Sequence, residues 1–218
     1  MSRMDELITN LCPKGVKSLR LIEICRIATG VKPNENVAHN TDAIPYVNAG
    51  IEPSGYLKSS NSPAGYITIP TRGQGGAGHV GYQNTEFWCG PLCYKINSIT
   101  NSILSKYIFY YLKSIQRSII ALRKTGSIPA VNKSDLGNII IPIPPLPVQE
   151  EIVRILDNFT KLEAELEARK KQYEYYRDEL LIGEDNFRKV SLGLICDIFT
   201  GGEAPVNCKK GTIKDGTC

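Results

Sequence analysis

The most regular hydrophobic pattern in the chain runs from Val148 to Leu181, directly after the proline-dense Pro142-Ile143-Pro144-Pro145-Leu146-Pro147. Ile152, Ile155, Phe159, Leu162, Leu166, Arg169, Tyr173, Tyr176 and Leu180 follow one another at alternating spacings of three and four, the period of a two-helix coiled-coil seam. Only Arg169 breaks the apolar row. The stretch contains no Gly and no Pro, and Glu, Lys, Arg, Leu and Ala fill the other positions, so intrinsic propensity agrees with the period. Its 34 residues predict a helical rod of roughly 50 Å. Such a rod covers its stripe either by lying on its own domain or by pairing with another helix. The preceding residues form too small a domain to cover all of it, which favours a partner helix.

Upstream, the pattern changes. Met4 to Leu11 is amphipathic at helical spacing and stops at Cys12-Pro13-Lys14-Gly15. Short apolar runs at Ile44 to Asn48, Gly65 to Thr71, His79 to Tyr82 and Cys93 to Ile96, separated by Gly, Pro, Ser and Asn, predict strands. A helix capped by Asn101 or Ser102 is expected to run to about Ile115, burying Ile103, Tyr107, Tyr110, Tyr111 and Ile115. Arg123 to Lys133 reads as a loop, and Asn138 to Ile143 as a strand feeding the prolines. The order implies an α+β domain with a twisted, mostly antiparallel sheet, followed by a long coiled-coil helix.

The segment Val16 to Gly30 returns later in the chain. Leu21, Ile24, Cys25, Ile27, Thr29 and Gly30 match Leu192, Ile195, Cys196, Ile198, Thr200 and Gly201 at a constant offset of 171. One repeat unit is then a domain plus its rod. This gives residues 1–147 as the domain, 148–183 as a spacer and dimerisation helix, and 184–218 as the truncated start of a second repeat.

Charge sharpens this division. Residues 1–147 carry 15 Lys/Arg against 8 Asp/Glu, whereas residues 148–181 carry 6 against 9. The domain is basic and the rod acidic, a balance compatible with a phosphate backbone as partner of the domain. No apolar run approaches membrane-spanning length, and acidic residues stand where a signal peptide needs an apolar core, so a cytoplasmic location without membrane contact is expected. The seven cysteines are scattered and read as reduced thiols. Cys89 and Cys93 with His79 could ligate a metal, but no second cysteine pair completes a zinc frame; no metal site is expected.

Three polar loops carry the candidate chemistry. Thr71 to Tyr82, TRGQGGAGHVGY, contains GxGxxG at Gly73, Gly75 and Gly78, but a β-like segment follows where a dinucleotide site needs a helix. The P-loop pattern fails as well, because His79-Val80 replaces its Lys and hydroxyl residue. What remains is a flexible hairpin tip, or a small-residue loop presenting Thr71, Arg72, Gln74 and His79 to a DNA groove. Arg123, Lys124, Thr125 and Ser127 form a second candidate surface suited to phosphates, and Lys58 and Ser59 a third. No catalytic constellation is evident: the two histidines are far apart in sequence, and GxSxG and HExxH are missing. The carboxylates gather on the rod, at Glu163, Glu165 and Glu167, as a solvated face.

Taken together, ITNLCPKGV, LIEICRIATG, the Gly-rich loop, TGSIPAVNKSDLGNIIIPIPPLPVQEEIVRILDNF and the heptad rod resemble the specificity subunit of type I restriction-modification enzymes. The resemblance covers nearly all of residues 4 to 202 and is most specific at Gly126 to Leu156. It implies a target-recognition domain that reads one half of a split double-stranded DNA sequence without catalysis of its own. It also implies antiparallel helices that set the gap and hold the methyltransferase subunits, and through them the restriction subunit. S-adenosylmethionine, ATP and magnesium are then expected on those partner subunits and no cofactor on this chain. Family members usually carry two units; here the second stops 17 residues past Gly201, so the chain resembles a half-length form that would homodimerise through Ile152, Ile155, Phe159, Leu162, Leu166, Tyr173, Tyr176 and Leu180. The alternatives are a stand-alone homodimeric DNA-binding or regulatory protein, a nuclease, and a structural coiled-coil adaptor.

Overall fold

Ser2 opens the first helix with a reciprocal cap: its Oγ accepts the Asp5 N–H at 3.2 Å while the Asp5 carboxylate accepts the Ser2 N–H at 2.9 Å. That helix, α1 (Arg3–Leu11), ends where the Cys12 N–H donates to the Ile8 carbonyl. The computed structural model describes residues 2–38, 43–73, 75–124, 129–182, 190–194 and 196. Two compact units divide the chain, Met1–Glu165 and Leu166–Cys218.

Within the first unit the repeated segment, to which the pattern assigned no element, folds as β1 (Lys17–Arg20), a single helical turn α2 (Leu21–Ile24) and β2 (Cys25–Thr29). Six strands follow: β3 (Ile44–Val47), β4 (Tyr56–Leu57), β5 (Ile67–Pro70), β6 (Gly81–Tyr82), β7 (Trp88–Cys89) and β8 (Cys93–Ser98). The helices α3 (Ser105–Ser114), α4 (Gln116–Ala121) and α5 (Lys133–Gly137) precede β9 (Ile140–Ile143) and the long α6 (Leu146–Ile182).

The α+β class holds, but the single expected sheet is divided into three. The largest has the order β2-β8-β5-β6 and is antiparallel throughout. Its register places Ile27 opposite Ile96, Ile96 opposite Ile67, and Ile67 opposite Tyr82, a row of large side chains across the sheet. All four residues of β5 are buried, as befits a central strand covered on both faces. A second sheet pairs β1 with β9, joining residues over a hundred positions apart. The third, β4-β3-β7, contains a parallel pair, Tyr46 with Trp88. The main core packs α2, α3, α4 and α5 on these strands through Leu21, Ile108, Leu112, Ile119 and Leu136 against Ile67, Ile96 and Ile141; Val47, Phe87, Cys89 and Cys93 form a second core.

Two helix starts differ from expectation for local reasons. The β8 strand extends to Ser98, paired with Cys25, so Asn101 and Ser102 fall in the connecting turn and α3 begins at Ser105 with Leu104 as its N-cap. The α6 helix begins at Leu146 rather than Val148, because Pro147 in a first turn lacks an N–H that would have no helical partner.

In the second unit, α6 continues from Leu166 to Ile182. The described part of the repeat forms a 3₁₀ turn, Leu192–Leu194, closed by the Leu194 N–H on the Ser191 carbonyl at 3.0 Å, and the Cys196 N–H donates to the Leu192 carbonyl at 2.9 Å. The Cys25 N–H bonds the Leu21 carbonyl at the same repeat offset of 171 positions. The two segments thus share this one backbone bond, within an α-helical turn in the first and beside a 3₁₀ turn in the second. Leu21 is wholly buried, whereas Leu192 is 61% exposed.

Candidate nucleic-acid interface

The Gly-rich stretch is a packed turn. A Cβ on Gly76 would overlap the Ala49 carbonyl, and Gly78 sits at φ +77 with Ile120 Cα 3.2 Å from where a Cβ would stand. Neither position admits a larger residue without strain. The Gly78 N–H donates to Pro70 and the His79 N–H to Gly76, both at 2.9 Å. This replaces the flexible hairpin tip, and the strand expected from His79 shortens to Gly81–Tyr82 because the Val80 N–H is taken by the Gln116 side chain at 2.9 Å.

Two of the three candidate loops come together. The Val131 N–H donates to Thr71 and the Lys124 N–H to Ala130, each at 2.9 Å, while the Gly73 N–H reaches Pro129 at 3.3 Å. Arg72 and Lys124 each bridge to Ala130, and both side chains are exposed. These two cations form one surface from segments fifty residues apart. Lys58 and Ser59 are exposed elsewhere, on a turn organised by Glu35, whose carboxylate accepts the Ser59 hydroxyl at 2.7 Å and both backbone N–H groups. The Ser59 hydroxyl bond, outweighing slight burial, holds Glu35 below the ordinary carboxylate value.

Two candidates are corrected. Thr71 is only 8% exposed, because its backbone is stitched between Leu92 and Val131; it positions Arg72 and presents no side chain. Arg123 turns inward: its Nε donates to the Ala77 carbonyl at 2.7 Å and its Nη2 reaches the same oxygen, so the guanidinium closes the glycine turn. Gln74, Thr125 and Ser127 lie outside the described residues.

His79 is half-buried, and burial, followed by the charge of Lys113, pushes its pKa below the ordinary imidazole value. It is therefore neutral at neutral pH, with one nitrogen donating and one accepting, which suits a base edge better than a phosphate. On one side it lines a cavity of about 230 Å³ with Val47, Thr68 and Gln83. On the other it borders a groove of about 660 Å³ between β6, α3 and α6, lined by Lys106, Lys113 and Lys161 together with Asp157 and Glu163, with Lys106 paired to Asp157. Lys106 and Lys113 stand two turns apart on α3 and Lys161 comes from α6, so the sequence spacing of α3 alone did not announce the groove. Among the described residues no group of three or more His, Cys, Asp or Glu is placed to hold a metal ion, and no helix is long and apolar enough to cross a membrane.

The apolar row on α6 divides in two. Ile152 packs on the domain's own core and Ile155 is half-buried, which corrects the expectation that Ile152 faces a partner: the helix's first turns are used for docking. From Phe159 onward the row is open, with Phe159, Leu162, Leu166, Tyr173, Tyr176 and Leu180 between 51% and 71% exposed.

The sequence matches the family described as type I restriction modification DNA specificity domain over residues 13–173. A relative described as a type I specificity subunit of Mycoplasma pneumoniae is 33% identical over 177 residues, 72% of this chain and 52% of its own length. The specificity subunit of the Escherichia coli type I restriction enzyme EcoR124I/EcoR124II is 39% identical over 119 residues, 49% of this chain and 28% of that protein. The fold is shared with the crystal structure of the S subunit of a type I restriction-modification system from M. genitalium, at a TM-score of 0.63 and 21% identity over 79% of this chain and 48% of that one. The chain thus spans about half the length of the first curated relative it matches, 52%. Basic loops on a small mixed domain, a long helix following it in the chain and the family match agree: this chain belongs to the type I restriction modification DNA specificity domain family.

Proposed function

We propose that this chain is the non-catalytic DNA-recognition subunit of a type I restriction-modification complex, reading one half of a bipartite double-stranded target. Two copies pair through α6 and so supply both halves. Methyltransferase subunits dock on the paired helices and bring the restriction subunit with them; S-adenosylmethionine, ATP and magnesium belong to those partners, and the complex works in the cytoplasm.

The observation that carries the reading is the open row from Phe159 to Leu180, six large side chains on one helix face at more than half exposure. A face of this kind is stable in water only when covered, and an identical helix is a self-complementary cover under a twofold axis. Charge favours the antiparallel arrangement. Glu163, Glu165 and Glu167 are followed by Arg169, Lys170 and Lys171. An antiparallel pair centred near residue 168 sets acids against bases, whereas a parallel pair stacks like on like. Identical readers on a twofold imply a palindromic target interrupted by a fixed gap.

Methylation mapping of cells with and without the gene tests this directly. The expected result is loss of one gapped palindromic motif when the gene is removed. An unchanged methylome in cells that make the partner subunits, or a lost motif that is ungapped, overturns the reading.

A further inference from the structure

Gln149 is wholly buried, and its amide is fully engaged with backbone from two other segments. Its Oε1 accepts the Leu104 N–H at 3.0 Å, and its Nε2 donates to the Ser102 carbonyl at 3.1 Å and the Pro144 carbonyl at 2.8 Å. One side chain in the first turn of α6 therefore caps α3 and ties it to the end of β9. Eight residues on, about 12 Å along the helix, Asp157 makes a second attachment to the same α3. Its carboxylate accepts Lys106 Nζ at 2.8 Å and the Tyr110 hydroxyl at 2.5 Å, and Tyr110 lies 3.5 Å from the Thr160 hydroxyl. The α3 helix is itself fixed to β9, because Tyr107 donates to the Pro142 carbonyl at 2.7 Å and Tyr111 to the Ile140 carbonyl at 3.1 Å. Between the two attachments Glu151 holds Arg154 at 2.6 Å and faces Arg3 of α1 at 3.7 Å.

Apolar packing alone would hold a helix to a domain. Ridges and grooves of methyl groups, however, allow small shifts and rotations at little cost, and hydrogen bonds do not, because they weaken steeply with angle. A helix held at one point pivots; one held at two points two turns apart keeps its bearing. No described side-chain polar atom at this joint is left buried without a partner, so the polar contacts are complete, as a rigid network requires.

We propose that Gln149 and Asp157 are positioning residues that fix the bearing of α6 on its recognition domain, and thereby how sharply one gap length between two DNA half-sites is preferred over its neighbours. This rests on the reading above, in which two copies pair through α6. The exposed cations Arg72 and Lys124 take no part in this joint, and Lys106, which Asp157 holds beside the His79 groove, keeps its charge when Asp157 is replaced, so half-site affinity and gap selectivity separate.

The test uses the full chain and duplexes carrying the mapped half-sites with the gap changed one base pair at a time. For the wild type, affinity should fall by about 10-fold or more when the gap is off by one, comparable to a mismatched base pair. Asp157→Asn with Tyr110→Phe keeps shape and removes the charged attachment, and Gln149→Leu removes the other. Each should leave affinity for a duplex with a single half-site within about 2-fold while reducing the off-by-one penalty below about 3-fold. Dichroism confirms that each variant is folded; should Gln149→Leu fail to fold, the milder Asp157→Asn with Tyr110→Phe decides. A folded variant that keeps the wild-type penalty overturns the positioning role alone. A wild type indifferent to gap length overturns the paired-reader reading, and the positioning role with it.

Discussion

Arg72 and Arg123 occupy similar places in the sequence, each within three residues of a glycine in a polar loop, and the fold gives them opposite roles. Arg72 is exposed on the surface shared with Lys124, whereas Arg123 closes the glycine turn on the Ala77 carbonyl. Arg72→Ala should therefore reduce the slope of log affinity against log salt by about 0.9, one phosphate contact, and leave the urea midpoint unchanged. Arg123→Ala should do the reverse, costing about 1–2 kcal/mol of stability through the unpaired carbonyl with little change in slope. Anisotropy titrations across salt, paired with urea unfolding, measure both. The sequence showed that these loops hold the polar groups a DNA surface needs. It did not distinguish a guanidinium facing solvent from one facing Ala77, because the deciding partner lies 46 residues away. Thr71 and the lysines of the groove beside His79 were hidden for the same reason: their roles depend on contacts between distant segments.

At the scale of elements, legibility followed length and regularity. The α6 helix repeats its period over about eight turns, from Ile152 to Leu180, and is readable almost to its ends, and β5, β8 and α3 are legible with boundaries shifted by a few residues. The helices α2, α4 and α5 have four to six residues, less than two turns, too short for any period to register. The pairing of Leu19 with Ile141 leaves no trace in either segment alone. The pattern along α6 also did not show where docking ends and the open face begins; Ile152 and Phe159 belong to one heptad row, yet one is packed on the core and the other is 60% exposed. That division makes a specific prediction. If two copies pair through α6 as proposed, Leu162→Asp with Leu166→Asp places four carboxylates in the seam, and losing the burial of four leucines at about 1.5 kcal/mol or more each should weaken self-association by well over 100-fold. Sedimentation should then find a monomer with the first unit still folded. A dimer of unchanged affinity would show that copies meet elsewhere.

Across the whole molecule, charge is divided between a basic domain suited to nucleic acid and an acidic helix in whose middle Glu163, Glu165 and Glu167 precede Arg169, Lys170 and Lys171. In the proposed pair the order of these charges decides which alignment is favoured, and it can be reversed without altering the apolar residues of the row, Arg169 being its one polar position. A chain carrying Glu163→Lys, Glu165→Lys and Glu167→Lys together with Arg169→Glu, Lys170→Glu and Lys171→Glu keeps opposite charges four residues apart, so the helix persists. In an antiparallel pair two swapped chains again set acids against bases, and they should dimerise about as well as the wild type. A swapped chain opposite a wild-type chain would instead set acid on acid and base on base. Mixing the two after unfolding and refolding should therefore return homodimers with few mixed pairs at low salt, and high salt should erase the discrimination by screening it. Were the helices parallel, the same mixture would favour the mixed dimer, since each acid would then meet a base at the same height. Native mass spectrometry of differently tagged chains separates the outcomes. The answer also bears on DNA geometry: either twofold pair reads a palindrome, but a parallel pair sets its two recognition domains at one end of the seam, whereas an antiparallel pair sets them at opposite ends and so calls for the longer gap.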